Sequence, residues 1–389
     1  MRPGTGLGLL LSASRSFRSF TFTVLAISAP YFLGSLGIGY LYTGIIVAFS
    51  GLTSTVFVYL VPKLRVSLKS RLEISWVLLV VALLVLYLQQ NLYSYVAALL
   101  IGGVPLSGKD MSANQAMEQY AIGKTSQIQA EKNSLFSYYN FLSYAGNTAA
   151  AVVLWTLPGI SFGSVFLVCL AMSLLSGIPY LALNFPAWES SPSPKSVSEG
   201  TKRIRNTLGV LFAVDAFAGG MINSAMLSLW FLAVYGLQLV QVGLIFVIVN
   251  ALSAVSILIA GRVSTRIGLV RTMVFTHLVS NAFLILMPVI HVLVFSEAML
   301  FARQATSQMD VSPRDSFINT FIPENDRMAT NSEFISIRNA AIIPAPAAGG
   351  ELAGIMPAAM PFLAGVIKAA YDLAFYARFH GYESAGNKT

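Results

Sequence analysis

Residues 76–84 read Trp-Val-Leu-Leu-Val-Val-Ala-Leu-Leu, an unbroken apolar run without alternating polar positions. A helix that crosses the hydrocarbon core of a bilayer needs about 20 mostly apolar residues. Backbone polar groups in lipid must pair within the protein, so a spanning segment is either a helix or part of a closed β-barrel. Because barrel strands alternate apolar and polar residues, this run predicts a membrane-spanning helix.

Apolar stretches of similar length follow one another along the whole chain. They predict twelve spans, at 17–36, 40–62, 73–90, 93–113, 134–156, 160–184, 207–230, 238–261, 272–289, 291–312, 331–349 and 353–377. Arg2, Arg15 and Arg18 stand at the start of the first stretch, which we interpret as a retained helix rather than a removed signal peptide. The expected fold class is an all-α polytopic membrane protein with twelve transmembrane helices.

The composition agrees with a membrane location. Of the 389 residues, 56% are hydrophobic and 10% are charged, with a mean hydropathy of +0.71, whereas a soluble domain has about 25% charged residues. A water-soluble fold would have too few polar residues to cover this apolar surface. One cysteine, Cys169, and three histidines exclude a disulfide framework and argue against a metal cluster, so we expect neither a metal nor a cofactor.

The Lys and Arg residues are distributed asymmetrically between the predicted loops. They follow the even-numbered spans, within 63–71, 124–132, 195–205, 262–271, 327 and 378–388. The other short loops contain neither residue, near 37–39, 91–92, 157–159, 231–237, 290 and 350–352. This positive-inside pattern predicts a multi-pass protein of the cell membrane with both termini in the cytoplasm. Topology accounts for the net charge of +8, so we do not expect nucleic-acid binding.

A polar stretch at 186–206, containing the turn-forming sequence Ser190–Pro194, divides the chain into two halves, 1–185 and 207–389. The halves are weakly similar at an offset of 199, which aligns Tyr31-Phe32-Leu33 with Trp230-Phe231-Leu232, Gly37 with Gly236, Gly44 with Gly243, and Lys63 with Arg262. Two parallel six-helix repeats joined by a cytoplasmic linker are typical of transporters whose halves rock about a central site.

The segment 261–268 resembles a signature of the major facilitator superfamily. That family carries a glycine, an acid, a basic residue and a second glycine between the second and third helices of each half. Gly261, Arg266 and Gly268 match this pattern, while Thr265 stands at the acidic position. In the first half, 62–69 keeps basic charge but lacks both glycines and the acid. The resemblance spans nearly the whole chain and implies the twelve-helix fold of that family, with the matching residues near a cytoplasmic gate whose latch is altered.

Two ionisable residues of the second half are predicted near the middle of the bilayer. At 1.5 Å per residue, Asp215 lies roughly 12 Å from the cytoplasmic start of its span and Arg303 roughly 18 Å from the outer start of its span. A charge at this depth costs about 2.5–3.5 kcal/mol on insertion scales and therefore indicates function. We expect the two residues to pair. Asp215 would bind a proton or cation, and Arg303 would tune the pKa of Asp215 or receive an anionic substrate group. A structural ion pair is the alternative.

The fourth span carries Lys109 and Asp110 after the helix-breaking residues 102–105. Adjacent residues on a helix point about 100° apart, so we expect one of the two to face the substrate cavity and the other a neighbouring helix. Snorkelling towards the membrane interface is the alternative. For Asp310 too, the two roles are to face the cavity or to snorkel towards the interface.

Further polar residues are candidates for the cavity and the gate. Arg338 lies within the eleventh span, and Asn140 and Tyr144 share a face of the fifth because they are four residues apart. Ordinary interhelical hydrogen bonding is their alternative role. Lys368 and Asp372, also four apart, are expected to form a structural pair on the last helix.

Three charged residues stand near the cytoplasmic ends of the fourth and tenth spans: Glu118, Arg314 and Asp315. Opposite charges at these positions could close a cytoplasmic gate by pairing across the halves. Local salt bridges at the helix ends are the alternative.

These observations predict a secondary active transporter that moves a small organic solute by alternating access. Transport could be coupled to protons, since Asp110, Asp215 and Asp310 could titrate if they are desolvated. A non-transporting receptor or assembly protein on the same fold is the main alternative, and an intramembrane enzyme acting on lipid is a third. The chain has no phosphate-binding glycine loop and no zinc or nucleophile motif, so we do not expect an enzyme. The expected partners are the solute, membrane lipid and, in the proton-coupled case, protons, with the chain acting as a monomer.

Overall fold

The computed structural model describes residues 3–124, 129–182, 199–310, 314, 317–318, 322 and 324–382, and the regular elements among them are all helices. The first part of the chain forms α1 (Pro3–Ser35), α2 (Tyr40–Leu60), α3 (Leu68–Leu88), α4 (Leu92–Gly102), α5 (Ala113–Lys124), α6 (Gln129–Thr156) and α7 (Phe162–Ala182). The second part forms α8 (Glu199–Met221), α9 (Ser224–Tyr235), α10 (Leu239–Ile267), α11 (Leu269–Leu286), α12 (Leu293–Ser307), α13 (Glu324–Ile342), α14 (Ala345–Ile355) and α15 (Ala359–Phe379). The predicted all-α class is confirmed.

Four helices of the described part are long and apolar enough to cross a membrane by themselves: Tyr40–Lys63, Leu68–Leu88, Phe162–Ala182 and Leu239–Ser256. A fifth span results if α8 and α9, which meet at a bend of 45°, count as one. Other helices are too short for this test, such as α4 and α14 with 11 residues each, or too polar, such as α1 and α6. Most polar side chains of α1 are buried, as are Tyr139, Ser143 and Asn147 on α6, and several of these residues belong to the site described below.

The fourth predicted span is not one helix, which corrects the prediction for 93–113. Helix α4 ends because Gly103 adopts a left-handed conformation with φ of 55°, which glycine tolerates without a steric penalty. Pro105 follows and cannot donate a helical hydrogen bond. The chain resumes a helix only at Ala113, so residues 103–112 form what we call the unwound segment.

Two more predicted spans are broken. The span at 207–230 divides into α8 and α9, where the side chain of Asn223 accepts a hydrogen bond from the backbone N–H of Met226 at 3.0 Å and so caps α9. The span at 331–349 divides into α13 and α14, and Pro344 precedes the first residue of α14. Helix α12 ends at Ser307, five residues before the predicted limit of 291–312.

Contacts divide the chain into two compact units. The first comprises Met1–Glu189 and Asn223–Asn250, and the second comprises Ser190–Ile222 and Ala251–Thr389. The apolar core of the first unit includes Leu11, Leu72, Ala121 and Ile122, and that of the second includes Leu208, Phe212, Phe317, Phe334 and Phe375. Residues 186–198 of the predicted linker lie outside the described part, and the division into halves 1–185 and 207–389 stays a prediction.

Helix α1 is the centre of the first unit, where it packs along α6 and α7. Gly146 on α6 faces the backbone of Ser16 on α1, and a Cβ at this glycine would collide with the Ser16 carbonyl oxygen. One helical turn away, the hydroxyls of Ser19 and Ser143 are 2.7 Å apart. Small residues permit such a close approach of membrane helices, and this approach brings the polar residues of α1 and α6 together.

Large apolar side chains cover the outside of several helices. On α3, for example, Val77, Leu84 and Leu88 are all exposed. A soluble monomer rarely exposes large contiguous apolar surface. Such a surface is the expected one for a helix that faces lipid.

Candidate functional site

A buried group of charged and phenolic side chains lies in the first unit, and we call it the Arg18 cluster: Arg18, Asp110, Glu118, Tyr139 and Tyr180. The Arg18 guanidinium donates from Nε to Asp110 Oδ2 at 2.8 Å. It also donates from Nη1 and Nη2 to the two oxygens of Glu118, at 3.0 and 2.6 Å. The planar guanidinium fits a carboxylate in this bidentate manner. Arg18 is only 1% exposed, so both ion pairs are removed from solvent.

Two tyrosines complete the hydrogen bonding of Glu118. Its carboxylate accepts from the hydroxyl of Tyr139 at 2.6 Å and from that of Tyr180. Arg18 Nη1 also donates to the Tyr180 oxygen at 2.7 Å. Buried charges are tolerated only when their partners and extra hydrogen bonds offset the cost of desolvation. The cluster therefore ties together α1, the unwound segment, α5, α6 and α7.

Asp110 reaches Arg18 because the fourth span is unwound at this point. Backbone groups that leave a helix at membrane depth need other partners. Neighbouring residues supply them: Ser50 Oγ accepts from Leu106 N at 3.1 Å, Thr23 Oγ1 donates to Gly108 O at 3.2 Å, Ser54 Oγ donates to Met111 O at 3.1 Å, and Ser224 N donates to Ser107 O at 3.2 Å. The unwound segment is thus held from α1, α2 and α9.

A second arginine of α1, Arg15, also points to α6. Its guanidinium carbon lies 4.2 Å from the ring centroid of Tyr139, within the range of a cation–π interaction. Its Nη1 donates to Asn140 Oδ1 at 2.7 Å. Asn140, a predicted cavity residue, therefore has an arginine partner on α1.

The second unit contains another buried polar group, which we call the His277 cluster: Asp215 on α8, His277 and Asn281 on α11, and Lys368 and Asp372 on α15. The Lys368 ammonium binds Asp215 Oδ1 and lies 3.5 Å from His277 Nε2. The other ring nitrogen of His277 lies 2.8 Å from Asp372 Oδ1. Asn281 Nδ2 donates to Asp372 Oδ2 at 2.7 Å. All five residues are buried.

This arrangement joins a carboxylate, an ammonium, an imidazole and a second carboxylate in one hydrogen-bonded array. A neutral imidazole donates from one ring nitrogen and accepts at the other. His277 has polar partners at both ring nitrogens, and the array therefore links Asp215 to Asp372 through Lys368 and His277.

The His277 cluster borders a small cleft. Its lining consists of Met273, Val274, His277, Asp310, Tyr371, Asp372 and Phe375. Asp310 is held there by Arg314, whose Nη1 donates to Asp310 Oδ2 at 3.0 Å. Two of the acids that the sequence singled out, Asp215 and Asp310, are thus linked to His277 by the array and the cleft. Among the described residues, no group of three or more His, Cys, Asp or Glu could hold a metal ion.

The predicted pair of Asp215 and Arg303 is wrong, because Asp215 binds Lys368. Arg303 Nη1 instead donates to Gln304 Oε1 at 2.8 Å. The predicted pair of Lys368 and Asp372 is wrong for a related reason, since Asp372 binds His277. Helix α15 packs against both α8 and α11. Lys368 therefore binds a residue on α8 and Asp372 a residue on α11, instead of binding each other.

The predicted gate residues have partners inside their own units. Glu118 binds Arg18 on α1, and Arg314 binds Asp310 one helical turn away, while the predicted gate between the halves stays a prediction. Asp315 lies outside the described residues. Helix α10 continues through Gly261 and Arg266 to Ile267, and Gly268 then turns the chain into α11 with φ of 92°.

The remaining candidates occupy different environments. Lys109 is exposed while its neighbour Asp110 is buried, so the two residues face different ways, as expected for adjacent positions. Tyr144 on α6 and Arg338 on α13 are both half-buried.

Sequence reasoning overlooked Arg18 and His277, the residues around which the two clusters are built. Arg18 was grouped with the basic residues before the first span, although it lies inside the stretch 17–36. His277 lies inside the stretch 272–289. An ionisable residue inside a predicted span indicates function, and this signal could have found both.

Helices with apolar outer faces and buried charge clusters indicate a membrane protein, and comparison with known proteins gives its class. The Major Facilitator Superfamily profile matches residues 11–346, and the chain belongs to this family of multi-pass membrane transporters. No curated protein sequence matches the chain.

Solved structures of transporters share the fold. One is a bacterial homologue of the human lysosomal transporter Spinster, inward-facing and unoccupied, with a TM-score of 0.70 and 12% identity, covering 97% of this chain and 98% of that one. The nucleoside transporter NupG has a TM-score of 0.73 and 14% identity over 96% and 99% of the two chains. A POT family transporter in complex with a thioalcohol-conjugated peptide has a TM-score of 0.75 and 13% identity over 97% and 96%.

Proposed function

We propose that this protein is a secondary active transporter of a small organic solute, coupled to protons through the His277 cluster. The observation that carries the proposal is the buried array in which His277 connects Lys368 and Asp215 to Asp372. Buried acids and histidines among membrane helices are the usual components of proton relays.

The fold supports transport by alternating access. The Spinster homologue was solved in an inward-facing conformation, and the repeated halves of this chain would move as two bodies about a central site. Two proteins that share the fold are, by their names, a nucleoside transporter and a transporter in complex with a peptide conjugate, and these names support a small polar organic solute. In this proposal the chain works as a monomer in the cell membrane, with both termini in the cytoplasm.

The array also suggests an order of events. Protonation of Asp215 would remove its negative charge, release Lys368 and weaken the contact that joins α8 to α15. Loss of the proton would restore that contact. A change of charge that alters helix packing is the physical link that proton-coupled movement requires.

Proton movement in vesicles tests the proposal. Purified full-length protein is reconstituted in vesicles that hold a pH-sensitive dye, and nucleosides, dipeptides, sugars and organic acids are added one class at a time. We expect one class to move protons with the wild type and with Glu73→Gln, a control on the partly exposed pair of Lys69 and Glu73, which are 4.0 Å apart. Asp215→Asn should abolish the signal.

The outcomes separate the alternatives. A solute-dependent signal that survives in Asp215→Asn and in His277→Asn would retain transport and reject the His277 cluster as the coupling path. Solute uptake without proton movement would reject proton coupling. No uptake of any solute would favour a non-transporting receptor on the same fold.

A further inference from the structure

Arg338 on α13 differs from the other arginines described at membrane depth in the partners of its guanidinium. Among the described residues, none forms a hydrogen bond or an ion pair with Arg338, whereas Arg18 has acceptors at all three nitrogens. Arg338 is half-buried, and none of its side-chain nitrogens is closed off from solvent. It lies about 11 Å from the start of the predicted span 331–349 at 1.5 Å per residue. A charge at this depth faces the protein interior or water rather than lipid.

The acids that act on Arg338 are bound to other basic residues. Asp215 and Asp310 attract its guanidinium through space, and Arg314 repels it. Asp215 binds Lys368, and Asp310 binds Arg314. A guanidinium has five N–H donors and no acceptor. The donors of Arg338 are therefore available to an acceptor from outside the chain.

A second donor without an acceptor lies near Arg338. Tyr371 on α15 is close enough to interact with Arg338 electrostatically, and it lines the cleft beside the His277 cluster. Its ring meets the ring of His277 edge-on, with the centroids 6.0 Å apart. In the described part of the chain, nothing forms a hydrogen bond with the Tyr371 hydroxyl, whose oxygen is not closed off from solvent. Because a buried tyrosine hydroxyl usually has a partner, this one is also available to a ligand.

We propose that Arg338 and Tyr371 bind an anionic group of the transported solute, a carboxylate or a phosphate, beside the cleft of the second unit. The inference rests on the proposed transport function and specifies its substrate class. A planar guanidinium holds two oxygens of such a group at once, and the hydroxyl donates to one of them. Asp372, which also lines the cleft, is already hydrogen-bonded to His277 and Asn281. The bound anion would lie next to the array that we propose for proton coupling.

Modification of the wild-type protein tests whether Arg338 is free. Purified full-length protein in detergent is treated with 4-hydroxyphenylglyoxal, which modifies accessible arginines, and mass spectrometry identifies the modified residues. Succinate, benzoate and glucose 6-phosphate are compared with their uncharged counterparts succinamide, benzamide and glucose. We expect Arg338 to react and at least one anion, but not its counterpart, to protect it.

Two arginines of the same protein serve as internal controls. Arg18 is buried and should not react, and Arg378 is exposed on α15 and should react equally with and without the anion. An unmodified Arg338 would overturn the proposal. Modification that none of the three anions slows would also overturn it.

Variants test the two donors separately. The dissociation constant of the protecting anion is obtained from thermal midpoints at a series of anion concentrations. Arg338→Gln should weaken binding about 10-fold to 100-fold, the usual effect of losing a hydrogen bond to a charged group, and Arg338→Lys should weaken it less because the charge remains. Tyr371→Phe should weaken binding about 3-fold to 10-fold.

The matched controls lie on α15. Arg378→Gln removes an exposed guanidinium and Tyr376→Phe removes a half-buried phenol, and both should leave the dissociation constant unchanged. Unchanged binding in Arg338→Gln would overturn the proposal, and unchanged binding in Tyr371→Phe would remove Tyr371 from the site.

A lipid headgroup carries the same phosphate chemistry, and nanodiscs distinguish it from a solute. The modification of Arg338 is compared in phosphatidylcholine nanodiscs with and without phosphatidylglycerol. Protection by a soluble anion in pure phosphatidylcholine would support a solute site. Protection by phosphatidylglycerol alone would assign the site to lipid and overturn the proposal.

Anion binding and proton movement can fail separately. Solute-dependent proton movement without any protection of Arg338 would overturn the anion site and still support transport of an uncharged solute. Anion binding that depends on Arg338, in a protein whose Asp215→Asn variant moves protons normally, would support the site and reject only the proposed coupling path.

Discussion

The guanidinium of Arg18 holds both oxygens of Glu118 in a bidentate pair, at 3.0 and 2.6 Å. The pair is removed from solvent and shares its atoms with Asp110, Tyr139 and Tyr180. Removing a buried arginine from such a group leaves two carboxylates without a counter-charge. The stability of the first unit should therefore depend strongly on this one residue.

We predict that Arg18→Gln destabilises the protein by about 3–5 kcal/mol, the usual cost of removing one partner from a buried ion pair. The matched control is Lys69→Gln, which removes one partner of the partly exposed pair with Glu73 and should change stability by at most about 1 kcal/mol. Thermal unfolding of both variants in the same detergent gives the comparison. Equal midpoints for the two variants would contradict the structural role of the Arg18 cluster.

The pair of Lys368 and Asp215 should show strong coupling between its two members. Asp215→Asn and Lys368→Gln each leave one buried charge without its partner and should each cost about 3–5 kcal/mol. The double variant removes both charges and should be more stable than the sum of the single effects implies. A double-mutant cycle on thermal or chemical unfolding measures this coupling, and additive effects would show that the two residues do not interact.

Gly146 allows α1 and α6 to approach each other, and we predict that Gly146→Ala destabilises the protein. The added methyl group would meet the carbonyl oxygen of Ser16, and overpacking of this kind costs about 1–3 kcal/mol. Gly51 on α2 is the control, because a Cβ there would have no neighbour within 4 Å. Gly51→Ala should be neutral or stabilising, since alanine is favoured over glycine inside a helix by about 0.5–1 kcal/mol. Unfolding midpoints that fall equally in both variants would argue against a tight contact at Gly146.

His277→Phe separates solute movement from proton coupling. Phenylalanine retains a ring but cannot carry a proton, so we predict that exchange of labelled for unlabelled solute continues while accumulation driven by a pH gradient is lost. His291→Phe is the control, because His291 is exposed at the turn between α11 and α12. Vesicle uptake with and without a pH gradient measures both activities. Full accumulation in His277→Phe would exclude His277 from the proton path.

The sequence was sufficient to predict the membrane location and the helical class. Apolar runs such as 76–84 require partners for their backbone groups, and in lipid a helix provides these partners locally. The breaks in the spans were harder to place. Gly103 and Pro105 indicated weakness in the fourth span, but the ten residues of the unwound segment depend on Ser50, Thr23 and Ser54, which lie far away in the sequence.

The side-chain partners could not be predicted in the same way. Depth within a span follows from counting residues, and counting placed Asp215 near the middle of the bilayer. The direction in which each helix faces depends on packing, and Asp215 and Arg303, chosen by depth alone, do not pair.

The sequence by itself determined that this chain forms membrane helices, because span length and apolarity are properties of each segment and do not depend on the rest of the fold. It also determined which residues would be costly to bury. Only the tertiary structure decided how that cost is met, by placing Arg18 between Asp110 and Glu118 and His277 between Lys368 and Asp372. These contacts join residues about 90 to 100 positions apart, and helix packing alone brings such residues within hydrogen-bonding distance.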